Sequence, residues 1–407
     1  MPKTQIKEID ATGLAPFVTV SNTVYVPGVG SGKGDPVLCE TVGELDAVTG
    51  LTKDGSYRLA KRLIRLGMKV LYQTFENASQ TEGETEISIS ADDWKKLEDR
   101  NLYDIRFLST GAYACPSKDM IACAAKRGDC IALLDHEKSV TLESGDTQVT
   151  AVRKVFEGLA LKTADIATYG IKTTTDPNSF AAAFTPWFSA EIEDTAEDVP
   201  ASFGYLLAYA RSIKTNPSWF AIAGSFRGII PELKNVKYLY TTADVEQLQA
   251  RASTGAVDLD GTNDNVGIAI NPISYVRPTG YIINGNRTMH ENEAKVGHEN
   301  EAKVGVIASS FLNVRNLVSE INKTMYEAAN LYRYEQNDYV LWVNFTSQII
   351  PLLERMKSNE GINFYKLVRL GTDKKGRVHG RLIISAIEAV EDFELEIYLS
   401  DSLDIVE

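Results

Sequence analysis

Between residues 23 and 135 the apolar runs switch repeatedly between two periods, and that switching limits the fold more than any other feature of the chain. TVYV at 23–26 and VLC at 37–39 read as short strands. Residues 57–66 place Leu59, Leu63 and Leu66 at helical spacing, with Gly67 as a C-cap, and residues 68–72 return to a buried-strand pattern. A strand over 103–108, an Ala- and Cys-rich helix over 117–127 and the run CIALLD at 130–135 repeat the theme. Strands alternating with helices are expected of an α/β layer. At 407 residues and 44.8 kDa the chain exceeds one small core, so the expectation is a multidomain α/β (α+β) protein.

The stretch VPGVGSGKGDP, residues 26–36, invites comparison with a phosphate-cradling loop. That motif needs G-x-x-x-x-G-K-[ST]: glycines free backbone N–H groups, a lysine neutralises phosphate and a hydroxyl holds the metal. Setting Gly32-Lys33 on its Gly-Lys puts Pro27 at the first glycine and Gly34 at the hydroxyl. Two of the defining positions fail, so the segment reads as a glycine-rich turn between strands.

A formal net charge of -13 disfavours direct nucleic-acid or anionic-membrane partners, which require clustered Lys and Arg. The four cysteines, Cys39, Cys115, Cys123 and Cys130, contain no C-x-x-C pair and read as reduced, mostly buried thiols. No run reaches the ~18 apolar residues of a membrane span, so no membrane insertion is expected. Residues 80–86 read as a polar surface loop. Asp135, closing an apolar strand, admits a catalytic reading and a commoner one in which it opens the next turn. EIEDTAED at 191–198 lacks the spacing and glycine of a calcium loop and reads as a solvated loop. Arg58, Arg62, Arg65 and Lys69 read as an exposed helix face. The tandem octads HENEAKVG at 290–297 and 298–305 are too short for a solenoid and lack H-E-x-x-H. His136 and His379 have no Ser or Cys partner motif, so no catalytic, cofactor-binding or metal residues are assigned.

In the C-terminal hundred residues, Val314, Leu317, Val318, Ile321, Met325 and Ala328 share one helix face. A second helix, capped near Asn337 and Asp338, turns Trp342, Phe345, Ile349, Leu352 and Met356 inward, and Pro351 should kink or split it. Strands over 364–368 and 382–386 flank a turn at 372–376. Finally FELEIYLS alternates Phe393, Leu395, Ile397 and Leu399 against polar neighbours, a half-buried strand before an acidic tail.

Several of these segments, in order, resemble the contractile tail sheath family of phages, tailocins and related injection systems. FAAAFTPWF (180–188), VPASF (199–203), Ala210-Arg211 and AIAG (221–224) are similar to that family's AAxxxPW, PPS, GxxAR and small-residue succession. TVYVPGVGSGKGDPVLCETVGEL (23–45) resembles its opening strand and turn, and INGNRT (283–288) its WGARTL strand. FLNVRNLV (311–318) resembles INVRRLV, and YEQND (334–338) with Leu341-Trp342 resembles FEPNDxxLW, with Gln336 in place of proline.

The resemblance implies a non-enzymatic subunit, needing no cofactor, that polymerises as stacked hexameric rings around an inner tail tube and contracts to drive the tube through an envelope. Its partners would be itself, the tube protein, and baseplate and tail terminator proteins; its place would be a virion tail or tailocin particle assembled in the bacterial host cytoplasm. The expected divisions are an N-terminal arm (1–20), an outer and middle α/β region (21–300), a C-terminal sheath core (301–392) and a C-terminal strand and arm (393–407). Edge strands in the arms, carried by Phe17, Val18 and Val20 at one end and Phe393, Leu395, Ile397 and Leu399 at the other, would add to a neighbour's sheet. Lys366, Arg369, Lys374, Lys375, Arg377 and Arg381 form a local basic cluster suited to an acidic tube surface, or equally to a solvated edge. The rival readings are a non-contractile capsid or surface-layer subunit and, more remotely, a P-loop NTPase.

Overall fold

The computed structural model describes residues 22–78, 86–113, 115–172, 175–249, 268–290, 308–336, 339–370, 378–387 and 389. The expectations for residues 17–20, 337–338, 372–376 and 393–399, for nearly all of the 80–86 loop, and for the octads beyond His290 lie outside them. In chain order the first half forms β1 (Thr23–Val29), β2 (Val37–Cys39), α1 (Val42–Asp46), α2 (Gly55–Arg65), β3 (Lys69–Phe75), α3 (Ala91–Leu97), β4 (Phe107–Leu108), α4 (Lys118–Arg127), β5 (Ile131–Asp135), α5 (Gln148–Leu159), α6 (Thr163–Tyr169) and β6 (Ala181–Thr185). Then follow β7 (Phe188–Ile192), β8 (Thr195–Val199), α7 (Ala201–Ser212), α8 (Gly224–Arg227), β9 (Leu233–Val236), α9 (Thr242–Gln249), β10 (Ile270–Val276), β11 (Gly280–Ile283), α10 (Leu312–Leu331), α11 (Tyr339–Ser358), β12 (Ile362–Leu370) and β13 (His379–Ala386).

Eight strands form one sheet in the order β11-β10-β6-β5-β4-β1-β3-β2. The six from β10 to β3 run parallel, and antiparallel β11 and β2 close the two edges. Alternate residues of each inner strand enter opposite cores, which explains the nearly unbroken apolar runs. Val24, Val26, Leu133 and Phe184 join one core with α2 and α7, whereas Tyr25, Ala132, Leu134 and Ala183 join the other with α3, α4, α5 and α9. Close packing explains the glycine-rich opening: a Cβ on Gly28 would lie 1.8 Å from the Tyr72 hydroxyl, and one on Gly30 would lie 2.7 Å from the Gly50 carbonyl. The four cysteines are free, three of them buried.

Four sequence expectations change. The strand over 103–108 shrinks to Phe107–Leu108, because the Tyr103 amide turns back to the Asp99 carbonyl. EIEDTAED is not a solvated loop but a β-hairpin, β7–β8, whose turn residues Glu193 and Asp194 have φ of 50° and 62°. Two consecutive left-handed residues give the twist a two-residue hairpin needs, and here acidic side chains mask the strand pattern. Of the kink or split expected at Pro351, the split does not occur: α11 runs through it, with Ile349, Leu353 and Met356 on either side buried in one core. The remaining change, at the Arg58 face, belongs with the surface described below.

Among the described residues β12 and β13 pair antiparallel with each other only, and they pack on α10 and α11 around Trp219, Leu317, Ile321, Leu353 and Met356.

Gly28→Ala should destabilise the protein by roughly 2–4 kcal/mol, because neither the strand nor the Tyr72 ring can yield cheaply. Urea unfolding of the unassembled chain checks this.

Candidate assembly surface

In doubly wound sheets, ligands bind beyond the carboxyl ends of strands where the strand order reverses, here between β1 and β4. That place is filled by protein. Asp54 caps α2 through the Tyr57 amide at 2.8 Å, takes the Val29 amide at 2.9 Å and accepts the Tyr113 hydroxyl. Ser56 Oγ accepts the Ala112 amide at 2.8 Å. The glycine-rich segment lies along β3: the Gly34 amide donates to the Thr74 carbonyl at 3.0 Å, and Gln73 Nε2 donates to the Gly34 carbonyl. Lys33 is engaged by Asp93 at 2.6 Å. An anion would have to displace a carboxylate from the only cation of the loop.

Asp135 is fully buried, but it neither opens a turn nor faces a cleft. It caps α7, accepting the Ser202 amide at 2.8 Å and the Ser202 hydroxyl. Burial pushes its carboxyl up to about 7, against the pull of the Ser202 bonds. Neighbouring His136 is buried too, within 2.8 Å of Thr185 Oγ1 and 2.6 Å of the Glu137 carbonyl, and burial lowers its pKa. The two side chains serve separate partners.

The cations of α2 are not a free exposed face, as their helical spacing suggested. Arg58 pairs with Glu197 and Arg65 with Glu193, both on the β7–β8 hairpin, and Arg62 reaches Glu232 at 2.9 Å; Lys69 is not on the helix but opens β3, and reaches Glu40 at 2.5 Å. Glu193, Glu197 and Glu232 are 7–11% exposed. The Arg58 and Arg65 pairs latch the hairpin over the sheet core, and no local pattern revealed them because those partners lie more than a hundred residues apart in sequence. Lys138 and Lys237 likewise hold Asp198, lowering its pKa to about 2 against the opposing effect of its burial.

The open surface is the β12–β13 hairpin. Tyr365, Leu367, Leu382, Ile384 and Ala386 face α10 and α11, so Phe364, Lys366, Arg381 and Ile383 alternate onto the other face, and Phe364 and Ile383 are about half exposed. Lys366 lies opposite Ile383, and Arg381 opposite Val368, in the ladder. Arg369 falls on the α11 side, opposite Gly380, over which Trp342 lies within 2.8 Å of a built Cβ. The basic cluster is therefore divided: Lys366 and Arg381 share a face, Arg369 does not, and Lys374, Lys375 and Arg377 lie outside the described residues. Among the described residues, both outer edges of this two-stranded sheet lack a strand partner. Two strands alone are marginal in water, and open edges are sites for strand addition.

No family model and no curated protein matches the chain. Its fold matches solved structures end to end. One is the contracted-state sheath complex of PVC, an extracellular contractile injection system, at a TM-score of 0.63 and 16% identity, with 98% of each chain covered. Another is the anti-feeding prophage (AFP) baseplate, at a TM-score of 0.59 and 12% identity, covering 98% of this chain and 99% of that one. The chain thus has the fold of these contractile-machine proteins, as its motif succession implied. No described helix is long and apolar enough to cross a membrane.

Asp135 sets a pH dependence with a defined sign. Its folded pKa exceeds the unfolded value near 3.9, so the folded state holds the proton more tightly. Its contribution is complete at acid pH and falls by at most about 1.4 kcal/mol per unit between about pH 4 and pH 7. Asp135→Asn should flatten that part of the profile, read as the urea midpoint of both proteins across the window.

Proposed function

We propose that this chain is a structural subunit of a contractile sheath, building stacked hexameric rings around an inner tube and shortening to drive that tube through a target envelope. The likeness in fold over the whole length of a contracted injection-system sheath chain carries the reading. Residues 21–300 would form the outer body and 301–392 the core module. The arms, residues 1–20 and 393–407, would add Phe17, Val18, Val20 and Phe393, Leu395, Ile397, Leu399 as strands to the open edges of a neighbour's β12–β13 hairpin. Backbone hydrogen bonds of that kind hold two subunits together while their orientation changes. No cofactor or catalytic group is required: a contracted state that buries more apolar surface, at about 25 cal/mol per Å², gains energy at every subunit.

Lys366 and Arg381, with Lys374, Lys375 and Arg377 of the adjoining turn, would face an acidic tube surface. Baseplate and terminator proteins would meet the ends of the polymer. The particle would be a phage tail, tailocin or related injection system assembled in the bacterial cytoplasm.

Electron microscopy tests this directly. Coexpression with the cognate tube protein should yield narrow six-fold cylinders, and the chain without tube a wider polymer. Removing residues 391–407 should leave a folded subunit, by circular dichroism, that forms neither. Discrete oligomers of the intact chain under every assembly condition would sink the reading, and a single polymer form without a tube would favour a non-contractile shell.

The tube contact is tested separately. Lys374→Glu with Lys375→Glu should weaken assembly on tubes at low salt by roughly tenfold, and raised salt should narrow the difference, because screening shortens the reach of exposed charge to ~10 Å. Unchanged assembly on tubes at low salt would place the cluster elsewhere.

A further inference from the structure

Helix α10 has two faces of opposite character. Leu317, Ile321 and Ala328 pack with α11 and the hairpin. On the other side Asn313, Asn316, Glu320 and Lys323 recur at spacings of three and four, all buried, where the parallel strands of the body begin. Asn316 Nδ2 donates to the Tyr205 hydroxyl at 3.0 Å, and Arg106, just before β4, donates to the Asn316 carbonyl at 3.2 Å. Asn322 Nδ2 donates to the Gly128 carbonyl at 2.8 Å, ahead of β5. This stretch of the contact between α10 and the strand ends is therefore polar, although Trp219 and Phe220 also carry apolar side chains from the body into the core around Leu317 and Met356. The polar contacts exchange with water at little cost in apolar burial.

Toward the C-terminal half of α10 this seam opens into a cavity of about 320 Å³ lined by residues including Arg100, Asp104, Asp129, Lys323, Tyr326 and Glu327. Nearly every charge around it is taken. Lys323 pairs with Asp104; Asp129 is held by Arg127 at 2.9 Å and Arg100 at 3.2 Å; Arg100 also lies 4.1 Å over the Tyr326 ring. Further along α10, Glu320 is shared by Arg106 at 3.7 Å and Arg355 of α11 at 3.4 Å. Glu327 has no ion pair among the described residues. Its i−4 neighbour Lys323, which sequence spacing would assign to it, is drawn away by Asp104.

We propose that Glu327 is an ionisable wedge in this seam. Charged, it is repelled by Asp104 and Asp129 and keeps the last turns of α10 apart from the 100–104 segment; neutral, it lets them settle into the cavity. Burial and then the charge of Asp104 raise its pKa, while Lys323 and Arg100 oppose that and Asp129 adds to it, so the proton is lost above the ordinary carboxylate range. A raised folded-state pKa means that the closed seam is favoured at acid pH and loosens as pH rises through that value. The wedge acts within one subunit and needs no polymer.

Hydrogen exchange on the full-length, unassembled chain tests it, with protection factors corrected for intrinsic rates at about pH 4, below the ordinary glutamate value, and at about pH 8. In the wild-type protein, amides at 325–331 should be roughly tenfold better protected at the acid pH. Glu327→Gln should show the acid level at both, and Asp104→Asn should move the transition to lower pH. Exchange that does not respond to pH in the wild-type chain, or an undiminished response in folded Glu327→Gln, overturns the proposal.

Discussion

A parallel sheet must be covered on both faces, and the rest of this molecule answers to that demand. Six parallel strands send Val24 and Val26 one way and Tyr25 the other, so helices are needed on each side. One cover is α2, whose apolar face meets the sheet. Its outward cations then receive the acidic β7–β8 hairpin, so a second layer is held by Arg58–Glu197 and Arg65–Glu193 over the first. The carboxylates there are mostly buried, so these pairs orient the hairpin more than they stabilise it; burying a charge offsets much of what pairing gains.

The ends of the strands pose a different problem. On the carboxyl side Asp54, Ser56 and Tyr113 close the crevice where related architectures bind ligands, and Asp135 caps α7 from the end of β5. On the amino side the polar face of α10 meets Arg106, Gly128 and the Arg127–Asp129 pair. Along this face α10 meets the strand ends through hydrogen bonds and charges, while its apolar face packs with α11, β12, β13 and Trp219.

Much of the fold was legible because period and burial are local properties. The strands at 23–26, 37–39 and 130–135 and the helix at 117–127 stand within a few residues of where periodicity put them. Expectation failed where side-chain charge concealed backbone geometry. EIEDTAED reads as solvent-loving, yet alternate residues of its strands face the core, and its Glu193 and Glu197 are claimed by α2. The basic residues from 366 to 381 look like one cluster, yet strand alternation sends Arg369 to the other face from Lys366 and Arg381.

The sequence by itself determined the α/β alternation, the position of the turns and the order of motifs that resemble a sheath subunit, since each depends on neighbours within a few residues. Only the tertiary structure decided which charges are free. Lys33, Arg58, Arg62 and Arg65 are claimed by carboxylates from distant segments, and Glu327 is left without the lysine that helical spacing offered it. The reason is geometric: pairing depends on separation in space, and the chain brings residues together across a sheet whose strand order is not the order of the sequence.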